Sequence, residues 1–290
     1  FKITLKNLTE FGYINMKTFV LWCVFTISLT KGFLLKDMVH LRKDVAGEDH
    51  YMFKSLPAVL DYFEYYKANT SRRIQNILTG FQKCLQYEMG TDDVPLGIRR
   101  PFIAVEGDVH LKRDLIVNRL AQVLGALVVS LPPKCMVEYV TYFERGSPKK
   151  EAFYSLCLYA ISANVKNLLS REVPVIANGY WSQQVEFTVN SMFRRITDLP
   201  ILSRLYDPPA DLFLPDVVIL LDFYGSNNTD TGYKKLTKPK RSVIYNRMNI
   251  KPIIVFAAGC VDKTVEYAAK TLRKAIGYKF DLSPGPVVRV

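Results

Sequence analysis

From residue 101 onward, short uninterrupted apolar runs alternate with longer segments whose apolar residues recur every three or four positions. The short runs predict strands buried on both faces, and the longer segments predict helices. The predicted strands are Pro101–Glu106, Ala126–Leu131, Val173–Ala177, Asp216–Asp222 and Pro252–Ala257. The predicted helices are His110–Leu124, 134–145, 149–170, Trp181–Phe193 and Val261–Ile276. Strands separated by helices in this way predict an α/β fold with a parallel sheet and helices on both of its faces.

The first third of the chain has a different pattern. Between residues 50 and 90 the apolar residues recur at helical spacing, for instance over Leu56–Phe63, and they predict a helical N-terminal extension. The glycine-bounded polar stretch Gly90–Gly97 predicts a linker. We therefore divide the chain into an extension, residues 1–97, and an α/β domain, residues 98–290.

Composition and charge exclude some functions. The chain has 290 residues, of which 49% are hydrophobic and 23% charged, and this is typical of a globular protein with a core. Its formal net charge is +12, which indicates an anionic partner or a solvated basic surface. The sequence shows no zinc-finger, RNP or helix-turn-helix pattern, so we predict no binding to nucleic acid.

The five cysteines are spaced widely and irregularly, without a C-x-x-C pair. This spacing predicts neither a metal site nor a thioredoxin-like motif. Cys157 and Cys260 lie in apolar runs, and we predict that both are small buried hydrophobic residues.

An apolar run near the start of the sequence, Phe19–Leu29, follows Met16 and Lys17. It is too short to span a bilayer as a helix. If translation starts at Met16, the run has the form of a secretory signal, and the protein would be secreted. The alternative is a buried helix or strand of the extension. Asn69 and Asn227 stand in glycosylation sequons, which have meaning only in the secretory pathway.

In a parallel sheet, ligands bind beyond the carboxyl ends of the strands. The turn after the first predicted strand runs from Gly107 to Asp114. Aligned with the phosphate-binding loop G-x-x-x-x-G-K-[ST], Gly107 keeps the first glycine. Lys112, Arg113 and Asp114 replace the second glycine, the lysine and the hydroxyl residue. Asp114 brings negative charge to a helix N-terminus that would otherwise attract phosphate.

Several segments around this turn follow one another in a familiar order: Phe102–Gly107, Pro132–Cys135, Ala152–Leu156, Pro174–Ile176, Tyr180-Trp181 and Pro215-Asp216. Together they resemble the thymidylate kinase family, most closely its mitochondrial UMP-CMP kinase branch. The resemblance implies a P-loop NTPase-like core, transfer of phosphate from ATP to a pyrimidine nucleoside monophosphate with Mg²⁺, often a homodimer, and a mitochondrial location. It also implies that Arg113 is catalytic. The nucleotide-binding residues would be Gly107, Lys112, Arg113, Asp114, Tyr154, Asn178 and Tyr180.

The sequence departs from the family pattern at functional positions. The family's Asp-Arg-Tyr after the third strand is Asn178-Gly179-Tyr180 here, so both charges are lost. The acid of its Glu-Gly-x-Asp motif is Val109, and its arginine-rich lid is reduced to a basic cluster within 234–241. The aromatic residues Phe153, Tyr154 and Tyr180 would either stack on a base or pack in the core.

Three functions remain open. The first is a pseudo-kinase that keeps the fold with little or no transfer activity, and without ATP and Mg²⁺ as cofactors. The second is an active but divergent pyrimidine nucleoside monophosphate kinase that uses Arg113 and the 234–241 cluster. The third is a binding or structural protein that is secreted.

Overall fold

The computed structural model describes residues 37–43, 49–67, 71–86, 99–108, 111–201, 204–223, 241–257 and 259–283. Several features of the sequence lie outside these ranges. They are the apolar run 19–29, the linker Gly90–Gly97 with the domain boundary at 97/98, Val109, both sequon asparagines and residues 234–240 of the basic cluster.

The α/β domain is built on a five-stranded parallel sheet. Its strands are β3 (Phe102–Gly107), β4 (Leu127–Ser130), β5 (Val175–Asn178), β6 (Val217–Asp222) and β7 (Ile253–Phe256). Their order across the sheet is β4-β5-β3-β6-β7, so the first strand of the domain lies in the middle. All five predicted strands are confirmed within two residues at each end.

Helices cover both faces of this sheet, which confirms the predicted α/β class. They are α3 (Leu111–Leu124), α4 (Pro148–Ser170), α5 (Trp181–Met192), α6 (residues 241–247) and α7 (Val261–Ile276). One face packs on α3 and α7 through a core that contains Ile103 and Val105. The other packs on α4 and α5 through a core that contains Phe102 and Ala104. The alternation along β3 follows from the two-residue period of a strand.

The segment predicted as a helix over 134–145 is a 3-10 helix, Lys134–Tyr142. The prediction that the extension is helical from residue 50 is also wrong at its start. Residues Asp49–Phe53 form strand β2, which pairs antiparallel with β1, Met38–Lys43. Helices α1 (Leu56–Lys67) and α2 (Ser71–Gln86) follow as expected. The three residues Tyr51–Phe53 are apolar at successive positions, so their spacing alone does not distinguish strand from helix, and pairing with β1 decides.

The extension shares its hydrophobic core with the α/β domain. Phe63 of α1 and Ile74 of α2 are fully buried in the same cluster as Phe153 and Leu156 of α4. Lys54, which follows β2, is 6% exposed and donates hydrogen bonds to the carbonyl oxygens of Leu205 (3.1 Å) and Asp207 (2.6 Å). The extension therefore completes one face of the domain.

The cysteines differ from the prediction in two respects. Cys157 is buried in α4 as predicted, but Cys260 is exposed, because it precedes α7 as the N-cap residue beyond the edge strand β7. Cys84 and Cys135 form a disulfide that the sequence did not predict. No helix among the described residues has the length and apolar character needed to cross a membrane.

Lys54 should make stability depend on pH. Burial lowers the pKa of its ammonium group from 10.5 to about 7, whereas the unfolded chain keeps the ordinary value. Between these two values the unfolded state binds a proton that the folded state lacks, so the free energy of unfolding rises with pH. We expect urea unfolding at pH 7, 8 and 9 to show a steeper rise in the wild type than in Lys54→Met, by up to about 1 kcal/mol per pH unit.

The exposed lysine Lys263 supplies the matched control for this measurement. Lys263→Met should leave the slope unchanged. Parallel curves for the wild type and Lys54→Met would contradict the low pKa of Lys54.

Candidate functional site

Three strands end side by side at the carboxyl edge of the sheet. Val105 of β3 pairs with Asn178 of β5, and the amide of Gly179 donates to the carbonyl oxygen of Val105 at 2.9 Å. On the other side Gly107 pairs with Leu221 of β6. Asn178 and Gly179 therefore lie beside the Gly107 turn. The edge is where a parallel sheet places its ligand site.

Gly107 is required by the packing of the sheet. Its φ of +126° lies in a region that side chains rarely adopt, and a Cβ atom there would lie 2.6 Å from the carbonyl oxygen of Leu221. A glycine at this turn is therefore needed whether or not phosphate binds. Taken alone, it is not evidence for a phosphate site.

Arg113, the residue at the position of the P-loop lysine, points into the protein. It lies in the first turn of α3, is 5% exposed, and its Nη1 donates to the carbonyl oxygen of Gly107 at 3.1 Å and to Oε1 of Gln183 at 2.9 Å. Burial lowers the pKa of this guanidinium, while the nearby carboxylates of Asp114 and Glu106 act to raise it. The cation is thus held by groups of the protein itself.

Two further predicted site residues, Asp114 and Asn178, pair with each other. Nδ2 of Asn178 donates to Oδ1 of Asp114 at 2.7 Å. The carboxylate of Asp114 therefore ties the first turn of α3 to the end of β5. In this arrangement it is oriented by an amide, and it keeps negative charge at the helix N-terminus.

Gly179 provides the space for this arrangement. Its φ is +84°, and a Cβ atom would lie 2.8 Å from Oε1 of Gln183, the same oxygen that accepts from Arg113. A side chain at position 179 would displace Gln183 and with it one partner of the guanidinium.

A buried carboxylate lies under the turn. Glu106 is fully buried, and its Oε2 accepts from the hydroxyls of Ser182 (2.5 Å) and Tyr245 (2.7 Å). Burial raises the pKa of Glu106 although both hydroxyls act to lower it. Its buried hydrogen bonds were not predicted from the sequence. The sequence signal that could have identified Glu106 is an acidic residue at the end of an apolar strand.

Arg241 forms ion pairs with two carboxylates beside the Gly107 turn. Its Nη2 contacts Oδ1 of Asp108 and its Nε contacts Oε1 of Glu186, both at 2.6 Å. Burial lowers the pKa of Arg241, but Glu186 and Asp108 outweigh this effect and raise it. From the sequence, Arg241 was only one member of a basic cluster. The structure places it at the start of α6 in two partly buried ion pairs, of which Glu186 is the buried partner.

The aromatic residues serve the core. Tyr180 is fully buried, its hydroxyl donates to the carbonyl oxygen of Phe213 at 2.9 Å, and its ring packs edge-on against Phe102. Phe153 is also fully buried. Tyr154 is half-buried and contacts Phe153 and Lys150 on its own helix. Neither Tyr180 nor Phe153 presents a ring face to a ligand, and nucleotide binding by Tyr154 stays a prediction.

Lys112 lies apart from the turn, since its Nζ donates to the carbonyl oxygen of Gly259 at 2.5 Å on the exposed side of α3. Among the predicted site residues, the structure thus gathers Gly107, Arg113, Asp114 and Asn178 at one edge. Lys112, Tyr154 and Tyr180 have their described contacts elsewhere.

Three buried polar atoms at this edge lack a hydrogen-bond partner within the described residues. They are Oε1 of Glu106, Nε of Arg113 and Oδ1 of Asn178. Two of these three atoms are acceptors, which phosphate oxygens cannot satisfy, whereas the third, Nε of Arg113, is a donor that an acceptor oxygen would satisfy. The unpartnered oxygens of Glu106 and Asn178 therefore do not fit a phosphate oxygen. The described part of the chain also has no group of three or more His, Cys, Asp or Glu side chains placed to hold a metal ion.

Comparison with known proteins identifies no family for this chain. No protein-family model matches the chain, and no curated protein matches it. Among the solved structures, it is similar to a thymidylate kinase from Candida albicans, with a TM-score of 0.42 and 12% sequence identity over 61% of this chain and 92% of that chain. A likeness of this size says nothing about activity.

Arg241 should be important for stability. Arg241→Met would leave Glu186, whose side chain is 4% exposed, as an unpaired buried carboxylate. We expect the free energy of unfolding at pH 7 to fall by about 3 kcal/mol, measured by urea unfolding. Adding Glu186→Gln to Arg241→Met should restore most of the loss, because the uncompensated charge is gone. If the double variant is as unstable as the single one, Glu186 is not what Arg241 neutralises.

Proposed function

We propose that this chain is a pseudo-kinase: a protein with a thymidylate kinase-like fold that does not transfer phosphate from ATP. The observation that supports this most directly is the inward position of Arg113, where a phosphate-binding loop has its lysine. Its guanidinium is buried against the carbonyl oxygen of Gly107 and the amide oxygen of Gln183.

Recruiting Arg113 to a phosphate would be costly. A hydrogen bond to a charged group contributes about 1.5–3 kcal/mol, and Arg113 would give up two of them if its Nη1 turned to a phosphate. The carbonyl oxygen of Gly107 and Oε1 of Gln183 would lose their donor at the same time. Asp114 would still repel the incoming phosphate from the helix N-terminus.

The acceptor side is changed as well. In the family pattern an Asp-Arg pair follows the third strand, and here Asn178 and Gly179 occupy those positions. Phosphoryl transfer depends on positioning and on stabilising charge in the transition state. Each lost donor of this kind typically costs about 10²–10³ in rate, so the combined losses leave no useful turnover.

The alternative is an active, divergent kinase that phosphorylates UMP, CMP or dTMP with ATP and Mg²⁺, as the sequence resemblance implies. It would need a cationic lid from the 234–241 cluster. Arg241 is the member of that cluster that the structure describes, and it is bound to Asp108 and Glu186. This favours the pseudo-kinase.

Nucleotide binding provides the first test. We expect no heat of binding and no thermal stabilisation with ATP, UMP, CMP or dTMP, with or without Mg²⁺, because Nη1 of Arg113 is already bound to Gly107 and Gln183 and Asp114 repels phosphate. A ligand at a hundred times its dissociation constant would stabilise the fold by about 2.7 kcal/mol, which is readily detected. Formation of a nucleoside diphosphate at about 1 s⁻¹, an ordinary enzyme rate, would rule the proposal out.

Restoring the family pattern provides the second test. The fourfold variant Lys112→Gly, Arg113→Lys, Asp114→Thr and Asn178→Asp should gain ATP affinity in calorimetry. Arg113→Lys alone is the control and should gain none, since residues that act as a unit are strongly non-additive. A fourfold variant that folds normally and still binds no ATP would show that these positions are not what blocks the site.

Gly179→Arg belongs to the same pattern but conflicts with the structure. At φ +84° and 2.8 Å from Gln183, the new side chain requires Gln183 to move. We therefore expect the fivefold variant with Gly179→Arg to be less stable than the fourfold one, and Gln183→Ala to recover part of that loss in urea unfolding.

A further inference from the structure

The disulfide joins the extension to the α/β domain at a packed interface. Cys84 lies in the last turn of α2 and is 2% exposed, and Cys135 lies at the start of the 3-10 helix Lys134–Tyr142. Their Cα atoms are 5.7 Å apart although 51 residues separate them in sequence. This Cα distance lies in the range that a disulfide requires.

Neighbouring contacts hold the two cysteines together. Nη1 of Arg73 in α2 donates to the carbonyl oxygen of Tyr142 at 3.1 Å, and Nδ2 of Asn76 donates to the Tyr142 hydroxyl at 3.2 Å. Both contacts link α2 to the same 3-10 helix as the disulfide. The packing of this interface therefore brings the two sulfurs together when the chain folds.

The bond requires an oxidant. Two thiols lose two protons and two electrons as the Sγ–Sγ bond forms, and the electrons pass to the disulfide of an oxidoreductase, which becomes a dithiol. Such bonds form and persist in oxidising compartments and are rare where thioredoxin and glutathione keep thiols reduced. Two further cysteines in the described residues, Cys157 and Cys260, stay free, so the oxidation is confined to the pair at the interface.

We infer that this protein matures in the secretory pathway, where the Cys84–Cys135 bond is formed on the folding chain. The apolar run Phe19–Leu29 after Met16 and Lys17 has the form of the signal that directs a chain there. The mitochondrial matrix and the cytosol are reducing, and they do not fit a structural disulfide between two secondary-structure elements.

Thiol counting in cells tests this inference. The full chain is expressed in cultured animal cells with a C-terminal tag, and free thiols are trapped at lysis with a mass-adding maleimide under denaturing conditions. Removal of the signal takes away Cys23, which lies in the apolar run. Cys84, Cys135, Cys157 and Cys260 remain. We expect the maleimide to label two thiols before reduction and four after it, in material recovered from the lumen of the secretory pathway or from the medium.

Single variants assign the bond. Cys84→Ser should free Cys135, so that three thiols are labelled with or without reduction. Cys260→Ser is the matched control, and it should lower both counts by one and leave the bond intact. Four labelled thiols in the unreduced wild type would overturn the inference, and so would recovery of the oxidised protein from mitochondria. If Cys84→Ser fails to accumulate, the wild-type count before and after reduction still decides.

Discussion

A buried guanidinium needs acceptors, because removing its charge from water is tolerated only when the protein replaces the lost hydrogen bonds. Arg113 meets that need with the carbonyl oxygen of Gly107 and the side chain of Gln183. The residues around Arg113 are arranged to fit these hydrogen bonds. Gln183 must begin α5 next to the turn, position 179 must lack a side chain so that Gln183 fits, and Asp114 must face Asn178. The carboxyl edge of the sheet is thus organised around an internal cation.

The extension is subject to a second constraint, since α4 is too apolar to face water on the side opposite the sheet. Helices α1 and α2 cover it with Phe63 and Ile74, within the same core that reaches β3. Lys54 and the Cys84–Cys135 disulfide add a polar and a covalent link to this packing. The extension and the α/β domain therefore stabilise each other, and the cooperative unit of folding includes both.

Much of the fold could be predicted because its signals are local. A strand buried on both faces is apolar throughout, so β3–β7 are visible as short runs, and the helical spacing of α7 predicts Val261–Ile276 at its observed bounds. The hairpin and the disulfide could not be predicted, since each depends on residues that meet only after folding. The site was predictable only in part. The sequence places a cation, Arg113, at the turn after β3, but the direction in which its side chain points is set by Gln183, which is 70 residues away in sequence. The same holds for Glu106, because the Tyr245 hydroxyl that donates to its carboxylate is 139 residues away in sequence.

The charged side chains at this edge are bound to groups of the protein itself. The formal charges of Arg113 and Asp114 cancel, and Asn178 and Gly179 carry none. Lys112 adds a cation, but its ammonium group lies on the exposed side against Gly259. The gathered positions therefore carry no formal net charge, and Nη1 of Arg113 and the carboxylate of Asp114 already have partners within the protein.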